Sequence, residues 1–289
     1  MDNIDDSATL SNAYGKCMQL AYSHYENFPV AKMVPKRLRK HVAAVYAFAR
    51  TADDIADEQH GTIAEDDPVR VDTLEKFEAQ LDLPDAERDP SWRWIFTACD
   101  ATIAEFSIPK QLFRDLVSAF KQDVVKKRYA DFPELLDYCR RSANPVGRLV
   151  LLLHGFGDAR RFELSDNICT ALQLANFWQD MSVDKLKNRI YIPMSDWRGL
   201  SEAEIFADSA CKKLREVLEF EVSRTAELFD AGAGLPSLLP FPLSLEIRAT
   251  LAGGRAILSK IAAQNFDTLA ARPSISKFDK IKILFKSLV

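Results

Sequence analysis

The sequence predicts an all-α protein folded as one helical domain, and three observations carry the prediction. Gly and Pro are absent from 36–60, 158–192 and 200–231, stretches far longer than a strand of about 5 or 6 residues. Apolar residues recur at helical spacing of three and four within them. Strand-type alternation is nearly absent from the chain. In chain order, the first helix with a clear apolar stripe runs over 41–57, through Val42, Val45, Ala49, Ala52 and Ala56. Later helix starts carry Pro next to a polar residue, as in Ser107-Ile108-Pro109, Asp131-Phe132-Pro133 and Asn144-Pro145, because Pro fits a first turn whose amide protons lack partners anyway. Asn144-Pro145 also interrupts what would otherwise be one helix from 134 to 155, so a kink is expected there. Over 210–229, Leu214, Val217, Leu218, Glu221, Val222 and Leu228 form a largely apolar face. Loops are expected at 60–70, 82–91, 192–200 and 232–243. No internal repeat or low-complexity tract argues for a solenoid or a disordered linker. The expectation is one domain over 1–289, with 1–15 a flexible lead-in.

Composition sets the outer bounds. A chain of 289 residues with 47% hydrophobic content fills a single large core. Lys and Arg total 38 against 42 Asp and Glu, for a formal charge of −4, so no basic field advertises a nucleic-acid partner. The five cysteines are odd in number, scattered and without a C-x-x-C pair, which argues against a disulfide scaffold or a zinc site and fits a reducing cytoplasm. The N-terminus is acidic where a signal peptide would be basic and then apolar. No run reaches the roughly 18 apolar residues of a membrane span. The four histidines (His24, His41, His60, His154) have no metal-ligand spacing and no Ser or Cys motif beside them, and they read as packing or surface residues. No G-x-G-x-x-G motif appears, so NADPH is not expected.

The chemistry lies in two acidic motifs. In Tyr46 to Asp57, an advance of about 100° per residue puts Tyr46, Arg50, Asp53 and Asp57 within roughly 60° of one another. Two carboxylates at i and i+4 repel by about 0.2–0.5 kcal/mol in an isolated helix, so a counter-ion is expected. In Gln173 to Asp184, Asn176, Asp180 and Asp184 follow at steps of four, a ladder of hard oxygen donors. Mg²⁺ prefers such donors and commonly uses one or two carboxylates with substrate phosphates. Two facing ladders, Asp53/Asp57 and Asn176/Asp180/Asp184, would clamp a diphosphate through metals, with Arg50 and Arg189 adding charge-assisted hydrogen bonds. Either motif alone reads first as a solvated acidic face; the two together, with Asn176 and Arg50 in register, favour the metal reading. An EF-hand is excluded because neither motif has a Gly at the required turn.

At these residues the chain resembles the squalene and phytoene synthase family, from about Tyr25 to Lys282. The matching stretches are Tyr46 to Asp57, Tyr138-Cys-Arg-Arg-Ser-Ala-Asn-Pro-Val-Gly147, Leu172 to Asp184 and Asn188-Arg-Ile-Tyr-Ile-Pro193. The resemblance implies helices around a central active-site cavity, acidic motifs at its mouth and an apolar tunnel for prenyl chains. Within the family the chain is most similar to the hydroxysqualene synthases of bacterial hopanoid pathways, through Glu26 to Ala31, Ala47 to Glu58 and Ser142 to Gly147. Such enzymes ionise presqualene diphosphate and let water capture the rearranged cation. Two departures point the same way: Asn144-Pro145 stands where relatives usually carry Gly and an apolar residue, and Gln179 where many carry Arg.

The resemblance also proposes individual roles. Tyr138 matches a tyrosine near the reacting carbon, or is a buried structural tyrosine. Asp123 with Arg128 matches a segment bordering the diphosphate, or is part of an exposed charged face. Gln173 and Gln179 fall among the substrate contacts, and Asn144 near the point of water entry. Phe28, Phe48, Phe177 and Trp178 line the tunnel or fill the core. Lys277 to Lys286 alternates lysines with apolar residues, and reads either as a contact with the inner face of a membrane or as a docked terminal helix. Contact with neighbouring pathway enzymes is a further expectation. The expected reaction is Mg²⁺-dependent conversion of presqualene diphosphate to hydroxysqualene. The rivals are head-to-head condensation of two prenyl diphosphates and a non-catalytic helical assembly partner.

Overall fold

The computed structural model describes the backbone of residues 2–24, 34–57 and 67–276, and side chains over 9–23, 34–57 and 68–276. Phe28, the stretch Glu26 to Ala31, His60 and the lysine-rich Lys277 to Lys286 lie outside the described residues. Among the described residues every regular element is helical. None of these helices is long and apolar enough to cross a membrane.

The chain divides into two compact units, residues 1–125 with 148–157, and residues 126–147 with 158–289. The first unit contains α1 (Asp2–His24), α2 (Arg39–Asp57), α3 (Asp67–Ala79), α4 (Arg93–Phe106) and α5 (Gln111–Val125). Residues 2–15 lie within α1, where Ala13 and Tyr14 are buried. Helix α2 is the centre of this unit and packs on α1, α3, α4 and α5. Its stripe of small residues, Ala43, Ala44, Ala47, Ala52 and Ala56, is buried, which lets neighbouring helices come close. One large residue breaks the stripe. Phe48 is fully buried, its ring centroid 4.9–5.7 Å from those of Phe77, Phe96 and Phe113. This places Phe48 in the core of the first unit. His41, also on α2, is fully buried, with Nδ1 within 3.2 Å of the Tyr14 hydroxyl and 3.0 Å of Thr102 Oγ1; it is a packing residue.

The second unit contains α6 (Phe132–Ser142), the start of α7 (Asn144–Leu153), α8 (Ala159–Gln179), the one-turn helices α9 (Met181–Asp184) and α10 (Glu202–Ile205), α11 (Lys212–Gly232) and α12 (Leu243–Ala263). Helix α8 is its axis, packed on α6, α11 and α12. Two glycines permit the closest approaches. A Cβ on Gly147 would lie 2.3 Å from Ser165 Oγ and 2.5 Å from Cys169 Sγ, and one on Gly254 would lie 2.3 Å from Phe229 Cζ and 2.9 Å from Leu172 Cδ2.

The Pro signals place boundaries well. Asp131 caps α6, its Oδ1 accepting from the Glu134 amide at 2.9 Å. The kink expected at Asn144-Pro145 is a full break between α6 and α7 at Ala143. Two breaks occur without Gly or Pro. Helix α8 ends at Gln179, within the Gly- and Pro-free stretch 158–192, and residues 206–211 separate α10 from α11. The second is explained by Asp267, whose Oδ1 accepts from the Ala210 amide at 2.9 Å, while its Oδ2 pairs with Arg215 at 2.9 Å. That tertiary bond holds the chain just before α11 begins at Lys212.

Candidate active site

In the first unit, α2 carries Tyr46, Arg50, Asp53 and Asp57. The Arg50 guanidinium is closest to Asp54, at 2.5 Å, with Asp53 at 3.4 Å. Asp54 is the residue that spacing alone did not select, because it lies off the face shared by Asp53 and Asp57. Burial, aided by Asp53 and Asp54 and opposed by Arg50, raises the Tyr46 phenol above its ordinary value, so this hydroxyl keeps its proton at neutral pH. Asp123 lies in the last turn of α5.

In the second unit, the Asn176, Asp180, Asp184 ladder survives the end of α8. The Asp180 amide donates to the Asn176 carbonyl at 2.9 Å, and the Asp184 amide to the Asp180 carbonyl at 2.8 Å. The step of four expected from the sequence is therefore kept by hydrogen bonds although Asp180 itself has left helical geometry, at φ −100° and ψ 13°. Asn176 is exposed, and Asp180 and Asp184 are half-buried. The Arg189 amide donates to the Asp184 carbonyl at 3.0 Å. Asp184 and Arg189 border a small cleft of about 270 Å³, counting its open mouth, that Phe177, Met181, Tyr191 and Phe206 help to line.

An aromatic group stands beside the ladder. Phe177 stacks on Tyr191 at 3.7 Å and 8°, and Tyr138 lies 6.0 Å from Phe177 and 5.7 Å from Tyr129. Such faces suit a cation. The group is assembled by backbone pairing of two extended stretches: the Ile190 amide donates to Lys127, Met194 to Tyr129 and Ser195 to Ala130, at 2.8–3.0 Å. Arg128 fastens the same stretches, donating to the Asn188 carbonyl and side chain at 2.6 and 2.9 Å and pairing with Glu202 at 2.8 Å. Tyr129 and Tyr191 were not assigned roles from the sequence, although Tyr191 lies within the matched stretch Asn188 to Pro193 and Tyr129 follows Arg128 in the segment matched beside the diphosphate.

Tyr138 and Asn144 stand on the two sides of the α6/α7 break, both buried. Thr170 Oγ1 of α8 donates to Asn144 Oδ1 at 2.9 Å, an approach that the bare Cα of Gly147 allows. Gln173 is half-buried on α8. The next residues fan outward. Phe177 meets Tyr191, the Trp178 indole donates to Thr225 Oγ1 at 2.9 Å, Gln179 Nε2 donates to the Pro273 carbonyl at 2.6 Å, and Asp180 accepts two bonds from Arg272, at 2.6 and 3.1 Å. Trp178 is fully buried and serves as core.

Among the described residues no three His, Cys, Asp or Glu side chains come together as a metal-binding group. The donors present nonetheless fit Mg²⁺ chemically: they are carboxylate and amide oxygens, and a cation, the Arg272 guanidinium, already sits on Asp180.

Comparison with known proteins identifies the family. The profile of the family described as squalene/phytoene synthase matches residues 20–279, and the chain belongs to that family and is an enzyme of it. A hydroxysqualene synthase of Sinorhizobium fredii is 35% identical over 88% of this chain and 85% of its own length. Another, from Rhodopseudomonas palustris, is 33% identical over 91% and 88%. Among solved structures, a squalene synthase from Alicyclobacillus acidocaldarius shares 39% identity over 89% of this chain and 95% of its own, with a TM-score of 0.81. The fold is thus the all-α fold of squalene synthases.

Proposed function

We propose that the protein is a hydroxysqualene synthase, converting presqualene diphosphate to hydroxysqualene in a Mg²⁺-dependent reaction. The observation that carries this reading is the run of the two hydroxysqualene synthase relatives along nearly the whole chain, combined with acidic and aromatic groups suited to ionising a diphosphate. Asp53, Asp57, Asn176, Asp180 and Asp184 would hold Mg²⁺, which when bound neutralises charge developing on the departing diphosphate. Arg50 and Arg189 supply charge-assisted hydrogen bonds to its oxygens. As the carbon–oxygen bond to diphosphate breaks, the faces of Tyr138, Phe177 and Tyr191 steady the cyclopropylcarbinyl cation through its rearrangement. Water then adds its oxygen to the cation and gives one proton to the departed diphosphate, the base that the ionisation leaves behind. Asn144, its carbonyl oxygen held by Thr170, keeps its amide hydrogens for orienting that water. The reading has no role for NADPH.

The rival is head-to-head condensation of two prenyl diphosphates, favoured by the name of the Alicyclobacillus structure, a squalene synthase. Purified protein with Mg²⁺ is incubated with presqualene diphosphate alone and with farnesyl diphosphate alone. Conversion of the first to hydroxysqualene is expected, and Asp53→Ala should abolish it while leaving the circular dichroism spectrum intact. Turnover of farnesyl diphosphate only would overturn the assignment.

A further inference from the structure

We propose that Arg272 is a counter-ion latch on the acidic ladder: it occupies Asp180 in the metal-free chain, holds the segment after α12 against the end of α8, and is evicted when a divalent cation takes Asp180. The proposal rests on Asp180 being a metal ligand, as read above.

The segment is built in two parts. Residues 264–271 are anchored independently of Asp180. Gln264 Nε2 donates to the carbonyls of Asp267 and Ala271, both at 2.8 Å, and the Asp267 carboxylate accepts from the amides of Ala270 and Ala210 and pairs with Arg215. Beyond Ala271, Arg272 forks onto Asp180 at 2.6 and 3.1 Å, and the Pro273 carbonyl accepts from buried Gln179 at 2.6 Å. Asp184 adds a second negative charge that favours the guanidinium at this position.

The Arg272 fork takes one lone-pair site on each Asp180 oxygen, and a metal ion on the remaining sites would stand close to the guanidinium, where two cations repel. Metal and Arg272 therefore compete for Asp180. Because the anchors at Gln264 and Asp267 and the Gln179 bond to the Pro273 carbonyl do not depend on the pair, eviction loosens the chain beyond Ala271 and leaves 264–271 in place. The pair is open to water, with side chains 29% and 50% exposed, so the competition is mild: removing Arg272 should tighten metal binding by about two- to fivefold.

The test uses the full-length protein and Mn²⁺ alone, followed by electron paramagnetic resonance, with hydrogen exchange read over 272–276 and over 264–270. Wild type should bind Mn²⁺, and Asp180→Asn should lose most of that binding. Arg272→Gln should bind it more tightly by the factor given. Exchange over 272–276 should rise when Mn²⁺ is added to wild type, and should already be high in metal-free Arg272→Gln, with 264–270 unchanged in both. Mn²⁺ binding through Asp180 that is unaltered or weakened in Arg272→Gln overturns the latch and leaves the metal assignment standing. Binding that ignores Asp180→Asn, or no binding, overturns both.

Discussion

Gly253 and Gly254 are neighbours in α12, yet alanine at the two positions should change stability in opposite directions. A Cβ on Gly253 meets nothing within 4 Å, whereas one on Gly254 would lie 2.3 and 2.8 Å from the ring of Phe229 and 2.9 Å from Leu172. At Gly253 only the helix propensity difference acts, a gain of about 0.8–1 kcal/mol. At Gly254 the same gain is set against overpacking. Phe229 is fully buried, so its ring has no solvent to move into, and α12 must retreat from α8 and α11 at a cost of about 1–3 kcal/mol or more. The expected result is stabilisation by about 1 kcal/mol for Gly253→Ala and a net loss of up to about 2 kcal/mol for Gly254→Ala, read from denaturant midpoints at constant slope. Phe229→Leu in the Gly254→Ala background should recover part of that loss. Stabilisation by both alanines, or no recovery, would refute the close-approach argument.

Glu246, half-buried near the start of α12, has its carboxyl pushed up to about 7 by burial from an ordinary 4.5. The folded chain therefore holds a proton that the unfolded chain has released between those values, and stability falls as pH rises through that window. The full shift corresponds to about 3 kcal/mol, reduced to about 1–2 by partial exposure and the helix dipole. Glu246→Gln should match wild type near pH 4.5 and exceed it by that amount at pH 8; parallel curves would contradict this. Arg128→Gln should lose about 2–3 kcal/mol through its broken bonds to Asn188 and Glu202, measured by thermal unfolding. A raised KM at unchanged stability would instead assign Arg128 to the substrate.

What was legible in the sequence is what local physics controls. The stripe on α2, the Asp131 cap and the boundary at Asn144-Pro145 depend on residues within a few positions of one another. The carboxylate ladder was readable for the same reason, since its step of four is preserved by backbone bonds. The end of α8 and the break between α10 and α11 were not, because nothing local marks them, and the residues there bond to partners far along the chain, Asp180 to Arg272 and Ala210 to Asp267. Phe48, Phe177 and Trp178 looked alike as aromatic residues at helical spacing. Their separate settings, a phenylalanine core, a stack on Tyr191 and a bond to Thr225, arise only when distant helices meet.

The fan of contacts at the end of α8 also limits how the chain can be altered. Phe177, Trp178 and the pair Gln179 and Asp180 engage three different later segments, near 191, 225 and 272–273. Inserting or deleting one residue upstream in α8 would turn all four by about 100° and misalign every engagement at once. Length variation and tag insertion therefore have to stay out of α8, and an active-site graft into another helical scaffold would have to carry 172–193 as one block.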